Sequence, residues 1–570
     1  MSVGTDSETA PPPAAPAAGS TGSELLVRQL VALGVEHFFF VIGGPMSDTI
    51  TALVAAGLTG IDTRDERAAT FAAIAYARLR RRPGVVVTCS GPGTTNTVTG
   101  LAHAYADGAP VIVLGGSAAR YLRGSGAFQE LDQVALMRPV TKLSFEVPDP
   151  DGVPDAVARA FRTAMSGAPG PVYLDFPSDV LYGTTGGDAD PPVHEPGPLP
   201  RAGGDPAAVT QAVDLLANAR RPVIVYGSGV LWAEAGDRLR ALVERTGIPF
   251  FSTPMARGVL PDDHPLSYPA ARSTAFADTD CLLLLGTRDN YVLNFLKAPV
   301  VNGDAALIEV NTEPEHLSRN RAATVAVLAD VGLGIDALLA RFAAAGARPS
   351  YRDWTQRLAA KDRAARERLA SFDGAAETPI HPQHLCVELE RVRDRSAVVV
   401  LDGAAILDFG RRILGAYEPG RFLTPGVFGT MGVGVPFGIG ALVAEPSAPV
   451  VVLTGDGAFG YHALELDTAV RHRLPVLVVV ANNGGWTAKR GRPGYALRFS
   501  DYQEIATGLG CFGAKVTDPG DLAGTLRTAL EYTARERLPA LVNVVISTER
   551  LQGRNFSRHA RHSGGEYDAV

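Results

Sequence analysis

Two residues in this sequence have side chains and spacing suited to binding a metal ion. They are Asp456, between Gly455 and Gly457, and Asn483, the second of two consecutive asparagines. One carboxylate oxygen and one amide oxygen, completed by backbone carbonyl and phosphate oxygens, make a hard and mostly open site of the kind that suits Mg²⁺. The pattern therefore predicts a metal ion that holds a diphosphate.

The elements around these residues must bring them together. The apolar run Val450–Thr454 is typical of a buried parallel strand, Tyr461–His472 predicts a helix, and Pro475–Ala481 predicts a second buried strand. Such a βαβ unit places Asp456 and Asn483 at the carboxyl ends of neighbouring strands, where open α/β sheets bind ligands.

A second set of candidate residues lies earlier in the chain. Glu66 opens an Ala-rich helix in DTRDERAATFAAIAYARL, and Asn96 ends the turn SGPGTTN between a strand and a helix. Each has an ordinary alternative. Glu66 could be a surface carboxylate that a helix N-terminus favours, and the turn could be a plain helix cap.

Composition limits the class of protein. The chain has 570 residues, 46% apolar and 20% charged, with a formal net charge of −7. We therefore expect a globular protein of about three domains, with neither nucleic acid nor a membrane as partner. Four scattered cysteines without a CxxC pair, and no secretory signal pattern, favour a cytoplasmic location.

Proline- and glycine-rich segments divide the chain. The sequence predicts blocks at 23–186, 207–345 and 383–550, a disordered tail at 1–22 and a flexible tail at 551–570. Each block alternates short Val/Ile/Leu runs with helical stretches, which predicts α/β architecture with doubly wound parallel sheets.

Together these motifs resemble the thiamine diphosphate enzymes of the acetolactate synthase and decarboxylase superfamily, over roughly residues 23–550. The resemblance implies pyrimidine-binding, central and diphosphate-binding domains in that order. It implies that Asp456, Asn483 and the carbonyl of Gly485 bind Mg²⁺. It also implies cofactor contacts for a set of small residues and one bulky wedge: Asn96, Gly403, Ala405, Gly429, Met431, Gly455, Gly457 and Ala458.

The resemblance also gives catalytic roles. Glu66 would contact N1′ of the aminopyrimidine from a partner subunit and exchange a proton with it, and Gln129 would face the cofactor. The active site would then lie at the interface of a homodimer or homotetramer. The thiamine diphosphate itself acts as the electron sink.

The sequence indicates the catalysed reaction less specifically than it indicates the cofactor. Three stretches, beginning at Gly126, Pro254 and Leu401, look most like 2-hydroxyacyl-CoA lyase and oxalyl-CoA decarboxylase, so we expect a C–C lyase or carboligase acting next to a carbonyl. An acetolactate synthase-like transferase that condenses 2-oxoacids is the alternative. A non-catalytic cofactor-binding subunit remains a third hypothesis. A nicotinamide dehydrogenase is disfavoured because no strand runs into GxGxxG. Expected substrates are 2-oxoacids, 2-hydroxyacyl thioesters or aldehydes.

Two further features have open interpretations. Gly227-Ser228-Gly229 follows a strand of the central block and is read as a plain turn rather than as a site for FAD or ADP. The basic end of the chain, with Arg550, Arg554, Arg558 and Arg561, could meet the phosphates of coenzyme A or could be a solvated tail.

Overall fold

A computed structural model describes residues 19–186, 190–346, 350–371, 374–486 and 493–548. The predicted tail at 551–570 and most of that at 1–22 lie outside these residues. The first helix begins at Gly22, where Thr21 and Glu24 form a capping box.

The first domain is built on a six-stranded parallel sheet in the order β2-β1-β3-β4-β6-β5. Its strands are β1 His37–Phe40, β2 Thr59–Asp62, β3 Gly84–Thr88, β4 Val111–Ser117, β5 Leu143–Glu146 and β6 Val172–Pro177. Its helices are α1 Gly22–Ala32, α2 Ser47–Ala55, α3 Glu66–Arg80, α4 Pro92–Asn96, α5 Val98–Asp107, α6 Gln133–Met137, α7 Val153–Met165 and α8 Ser178–Tyr182. Val85 and Val86 enter different hydrophobic cores, so both faces of the sheet are buried.

The central domain has a five-stranded parallel sheet in the order β11-β10-β9-β7-β8. Its strands are β7 Pro222–Tyr226, β8 Phe250–Ser252, β9 Cys281–Leu285, β10 Ala306–Asn311 and β11 Val325–Leu328. Its helices are α9 Pro206–Asn218, α10 Ser228–Trp232, α11 Gly236–Thr246, α12 Arg272–Asp278 and α13 Val331–Ala344, and α14 Arg352–Ala370 follows.

The third domain repeats the six-stranded design in the order β13-β12-β14-β15-β17-β16. Its strands are β12 Val398–Leu401, β13 Phe422–Leu423, β14 Val450–Gly455, β15 Val476–Asn482, β16 Phe512–Val516 and β17 Ala540–Val545. Its helices are α15 Pro382–Val392, α16 Ala405–Ile413, α17 Gly434–Ala444, α18 Asp456–Phe459, α19 Glu465–Arg471, α20 Tyr502–Gly508 and α21 Leu522–Glu536. The prediction of three parallel α/β domains is confirmed.

Helices α3 and α17 join the first and third domains through one continuous hydrophobic core. A Cβ added at Gly440 would lie 2.0 Å from the carbonyl oxygen of Ala72, so the two backbones approach as closely as glycine allows. Every residue of α17 is buried. Helix α17 is therefore an interdomain helix, and no described helix has the length and apolarity needed to cross a membrane.

One predicted element is wrong in its bounds. The helix expected over Tyr461–His472 is the shorter α19, Glu465–Arg471, and Tyr461 to Leu464 form turns after α18. The apolar pattern is helical, but the ring of His462 bonds the carbonyl of Gly432 in this turn segment. This tertiary contact thus outweighs the helical periodicity of residues 461–464, which form turns instead.

Candidate active site

The carboxyl edge of the third sheet brings the two motif ends together. Strands β14 and β15 pair with Gly455 opposite Ala481, so Asp456 and Asn483 follow adjacent strands. Both side chains are buried, with exposed fractions of 2% and 7%. The backbone N–H of Gly485 donates to Oδ2 of Asp456 at 2.9 Å. The predicted ligand set is therefore local to one corner of the sheet.

This corner opens into a cleft of about 450 Å³. All of the site residues predicted in the third domain except Gly429 line it: Gly403, Ala405, Met431, Gly455, Asp456, Gly457, Ala458, Asn483 and Gly485. Trp486 lines it as well.

Glycine is required at two points of the cleft wall. A Cβ on Gly457 would lie 2.7 Å from the indole ring of Trp486, closer than real Cβ atoms come. Gly403 has a φ of +98°, which L side chains rarely adopt. Bare backbone at these points lets a phosphate approach main-chain N–H groups.

The Met431 loop, defined here as residues 428–432, forms another wall. Gly429 and Gly432 both have positive φ, at +72° and +87°, and Met431 is 37% exposed. The buried carboxylate of Asp402 accepts hydrogen bonds from the N–H groups of Gly432 at 3.2 Å and Gly434 at 2.8 Å. Asp402 therefore fixes the C-terminal end of the loop.

Asp402 was missed by the sequence predictions. Its signal was its position at the carboxyl end of β12, directly before Gly403. Burial raises the pKa of Asp402 to about 6, although its hydrogen bonds from Gly434, Gly403 and Gly432 lower it. Burial likewise raises the pKa of Asp456 to about 6, against hydrogen bonds that include the one from Gly485.

The first domain holds a separate group of predicted residues. Glu66, at the start of α3, is only 7% exposed and accepts a hydrogen bond from the amide of Asn96 at 2.9 Å. The alternative of a surface carboxylate is therefore wrong. Gln129 accepts a hydrogen bond from Ser90 at 2.9 Å, in the turn at 90–91 that leads into α4. The segment predicted as a single turn is therefore a turn followed by a short helix, and Glu66, Asn96 and Gln129 gather around it.

A buried network missed from the sequence supports that turn. Gln133 accepts a hydrogen bond from the N–H of Gly91 at 2.6 Å and donates to Tyr173 and Asp175. Ser117 donates to the other oxygen of Asp175 at 2.6 Å. Neither this network nor Glu66 contributes to the cleft of the third domain, whose lining residues all lie between Pro382 and Ser547.

In the central domain, packing explains the glycine pair that could have suggested a nucleotide site. A Cβ at Gly227 would lie 2.5 Å from the carbonyl of Gly286, and one at Gly229 would lie 2.7 Å from the Cα of Gly286. Arg257 pairs with Asp262 and donates to the carbonyl of Leu414. The glycines are therefore explained by close backbone packing, and Arg257 by its contacts between loops.

The doubly wound domains and the glycine-lined cleft define a class: three-domain α/β enzymes that hold a diphosphate cofactor at a sheet edge. Three family profiles match in order. They are the N-terminal TPP binding domain of thiamine pyrophosphate enzymes at residues 20–136, the central domain at 209–338 and the C-terminal TPP binding domain at 407–544. The chain belongs to the thiamine pyrophosphate enzyme family.

Individual relatives agree over almost the whole chain. A 2-hydroxyacyl-CoA lyase from rice is 34% identical, covering 94% of this chain and 96% of its own length. An oxalyl-CoA decarboxylase from Escherichia coli is 34% identical, with 92% and 94% covered. An acetolactate synthase large subunit from Mycobacterium tuberculosis is 32% identical, with 93% and 96% covered. The prediction of a thiamine diphosphate-dependent enzyme is confirmed, and a non-catalytic subunit is set aside.

Proposed function

We propose that this enzyme is a Mg²⁺-dependent C–C lyase or carboligase that acts next to a carbonyl group. The observation that carries the proposal is the cleft in which Asp456, Asn483 and Gly485 converge beside the bare backbone of Gly457. The donor set fits Mg²⁺, because a hard ion with few protein ligands leaves positions for diphosphate oxygens.

Thiamine diphosphate supplies the electron sink for cleaving or forming a bond next to a carbonyl. The chain supplies the positions. Asp456 and Asn483 would hold the metal and thereby the diphosphate end. Met431 would support the cofactor, the carbonyl of Gly429 would accept a hydrogen bond from the 4′-amino group, and Glu66 would hold a proton at N1′.

The relatives named above support a proposal about the substrate class. Two of them are a lyase and a decarboxylase of acyl-CoA thioesters, at 34% identity. We therefore propose a 2-hydroxyacyl-CoA lyase-like or oxalyl-CoA decarboxylase-like activity. An acetolactate synthase-like transferase is the second candidate, because a relative of that name is 32% identical. The arginines at 550–561 lie outside the described residues, so they contribute no argument about coenzyme A.

We propose that the site is completed by a second copy of the chain. Glu66 is buried with Asn96 in the first domain, while the cleft is lined by the third domain alone. Large apolar side chains are exposed in the Met431 loop and in the turns after α18, with Phe428 49%, Tyr461 44% and Leu464 57% exposed. Such a patch is typical of an interface. The assembly is a homodimer, or a homotetramer built from such dimers.

Product analysis tests the reaction. The purified enzyme with Mg²⁺ and thiamine diphosphate is given a 2-hydroxyacyl-CoA, oxalyl-CoA or pyruvate alone, and products are identified by mass spectrometry. Aldehyde plus formyl-CoA, or formyl-CoA plus CO₂, is the expected result for the thioesters. Acetolactate from pyruvate, with no thioester turnover, would replace the lyase proposal by the second candidate.

Subunit mixing tests the shared site. Glu66→Gln and Asp456→Ala each disable one contribution, so both homodimers should have little activity. In a mixed dimer one cleft carries both defects and the other carries neither, so random exchange should restore up to about a quarter of wild-type activity. If Glu66 served the cleft of its own chain, mixing would restore nothing.

A further inference from the structure

Arg67, the residue after Glu66 in the first turn of α3, crosses from the first domain to the third. Its Nε donates to Nε2 of His462 at 3.1 Å. The other ring nitrogen, Nδ1, lies 2.6 Å from the carbonyl oxygen of Gly432. Because arginine only donates hydrogen bonds, Nε2 of His462 must be the acceptor. Nδ1 must then carry the hydrogen and donate it in a hydrogen bond to the carbonyl of Gly432. His462 is therefore a neutral ring that joins two fixed partners.

The surroundings of His462 favour this neutral form. Burial lowers its pKa from the ordinary value, and Arg67 lowers it further, while the bond to Gly432 and the charge of Asp65 raise it. The ring also packs edge-on against Phe71, with centroids 5.8 Å apart. The hydrogen-bond pattern and the electrostatics thus agree.

The atom that His462 holds lies in the Met431 loop. Gly432 directly follows Met431, and its N–H donates to Asp402 at 3.2 Å. The N–H of Gly432 is thus fixed by Asp402 within the third domain. The carbonyl of Gly432 is fixed by His462, which in turn is bound by Arg67 of the first domain. With both polar groups of Gly432 bound, Met431 has little freedom to shift.

Arg67 also acts on the other wall of the cleft. Its guanidinium lies 5.9 Å from the ring centroid of Tyr461, and Tyr461 meets Trp486 edge-on at 6.0 Å. Trp486 is the ring that closes over Gly457. Arg67 itself is anchored, since its backbone N–H donates to Asp65 at 2.7 Å.

We propose that Arg67 and His462 are positioning residues of the thiamine diphosphate cleft, acting through the carbonyl of Gly432 to hold the Met431 loop in its cofactor-binding form. This inference rests on the proposed placement of the cofactor in that cleft. One turn of α3 then serves two sites: Glu66 reaches the partner's cofactor, and Arg67 shapes the cleft of its own chain.

Calorimetric titration of the apoenzyme with thiamine diphosphate and Mg²⁺ tests the proposal. Arg67→Ala and His462→Phe should each raise the dissociation constant at least about tenfold, as expected for losing a part-buried, charge-assisted hydrogen bond. Phenylalanine keeps the ring volume against Phe71 and removes both polar contacts. The effect of the double variant should be smaller than the sum of the two single effects, because both residues act in series on Gly432.

Two matched variants distinguish an effect on the position of the Met431 loop from a general weakening of the contact between the first and third domains. His462→Asn retains a donor for Gly432 and should recover part of the affinity, even if His462→Phe folds poorly. Arg471→Ala removes another bridge between the same domains, from Arg471 to the carbonyl of Asp62 at 2.8 Å, without touching the cleft. It should lower the melting temperature but leave cofactor affinity unchanged.

The outcomes are distinct. Wild-type affinity in Arg67→Ala and His462→Phe, with only a loss of melting temperature like that of Arg471→Ala, would overturn the inference. Failure of the wild-type protein itself to bind thiamine diphosphate would overturn the proposed cofactor placement, and the inference with it. Weakened binding in both variants with partial rescue by His462→Asn would establish the positioning role.

Discussion

The side-chain amide of Asn96 donates a hydrogen bond to the carboxylate of Glu66 at 2.9 Å. The rest of helix α3 and strand β3 separate the two residues in sequence, and the short helix α4, which ends at Asn96, brings them together. Helix α4 packs closely on Glu66, because a Cβ on Gly93 would lie 3.1 Å from Oε1 of Glu66. Glu66 is therefore held in one orientation within the first domain.

Glu66→Gln should separate binding from catalysis. Glutamine keeps the shape of the side chain but cannot exchange a proton, so thiamine diphosphate affinity should remain and turnover should fall at least about tenfold. Calorimetry and steady-state kinetics measure the two effects. Near-normal turnover would remove Glu66 from the mechanism.

Asp402→Ala should loosen the Met431 loop. The substitution leaves the buried N–H groups of Gly432 and Gly434 without their acceptor, at a cost of about 1–3 kcal/mol for each unsatisfied group. We expect a lower urea midpoint and weaker cofactor binding. Asp402→Asn retains one acceptor oxygen and serves as the milder control. Equal stability of both variants and the wild type would show that the loop does not depend on this carboxylate.

Gly457→Ala should be destabilising where Gly455→Ala is not. The added methyl at Gly457 meets the ring of Trp486 at 2.7 Å, whereas at Gly455 the nearest atom is 3.9 Å away. Overpacking of this kind costs about 1–3 kcal/mol. Melting temperatures of the two apoenzymes, compared under the same conditions, check the difference. A similar loss for both variants would contradict it.

Glu465 should make stability depend on pH. Burial raises the pKa of its carboxyl to about 7, against hydrogen bonds from Thr468 and the backbone of Arg64. A pKa raised on folding stabilises at low pH, and this contribution is lost as the pH rises from the unfolded value through about 7.

Glu465→Gln stays neutral at every pH, so its melting temperature should exceed that of the wild type at pH 8 by several degrees, with the gap closing toward pH 5. Scanning calorimetry of both proteins across this range measures the gap. A constant offset would mean that Glu465 does not titrate near neutrality.

Removal of Mg²⁺ should release the cofactor. With the ion chelated, the diphosphate would face the carboxylate of Asp456 directly, so thiamine diphosphate affinity should fall by at least about tenfold and return when Mg²⁺ is restored. Asp456→Ala should not recover with added Mg²⁺. Asp501→Asn, which alters an exposed carboxylate paired with Lys515, is the control. Metal-independent binding would refute the assigned ligands.

Much of the site could be predicted because its parts are local. Asp456 and Asn483 follow apolar strands whose parallel pairing is almost forced by their composition, so their meeting needed no knowledge of the rest of the fold. The helix after the GDG turn was predicted too long, because periodicity does not show that His462 is needed to bond Gly432.

The sequence by itself determined the three α/β domains and the residues at the ends of β14 and β15, since strand composition and glycine placement are local properties. The cofactor class followed from the resemblance of its motifs to those of a known family. Only the tertiary structure decided that Asp402 and the Arg67–His462 pair hold the Met431 loop. The tertiary structure also showed that Glu66, in the first domain, does not line the cleft of the third domain in the same chain. These relationships join residues that are distant in sequence, 30 positions apart for Asp402 and Gly432 and 395 for Arg67 and His462. The second depends on how α3 and α17 pack the first domain against the third.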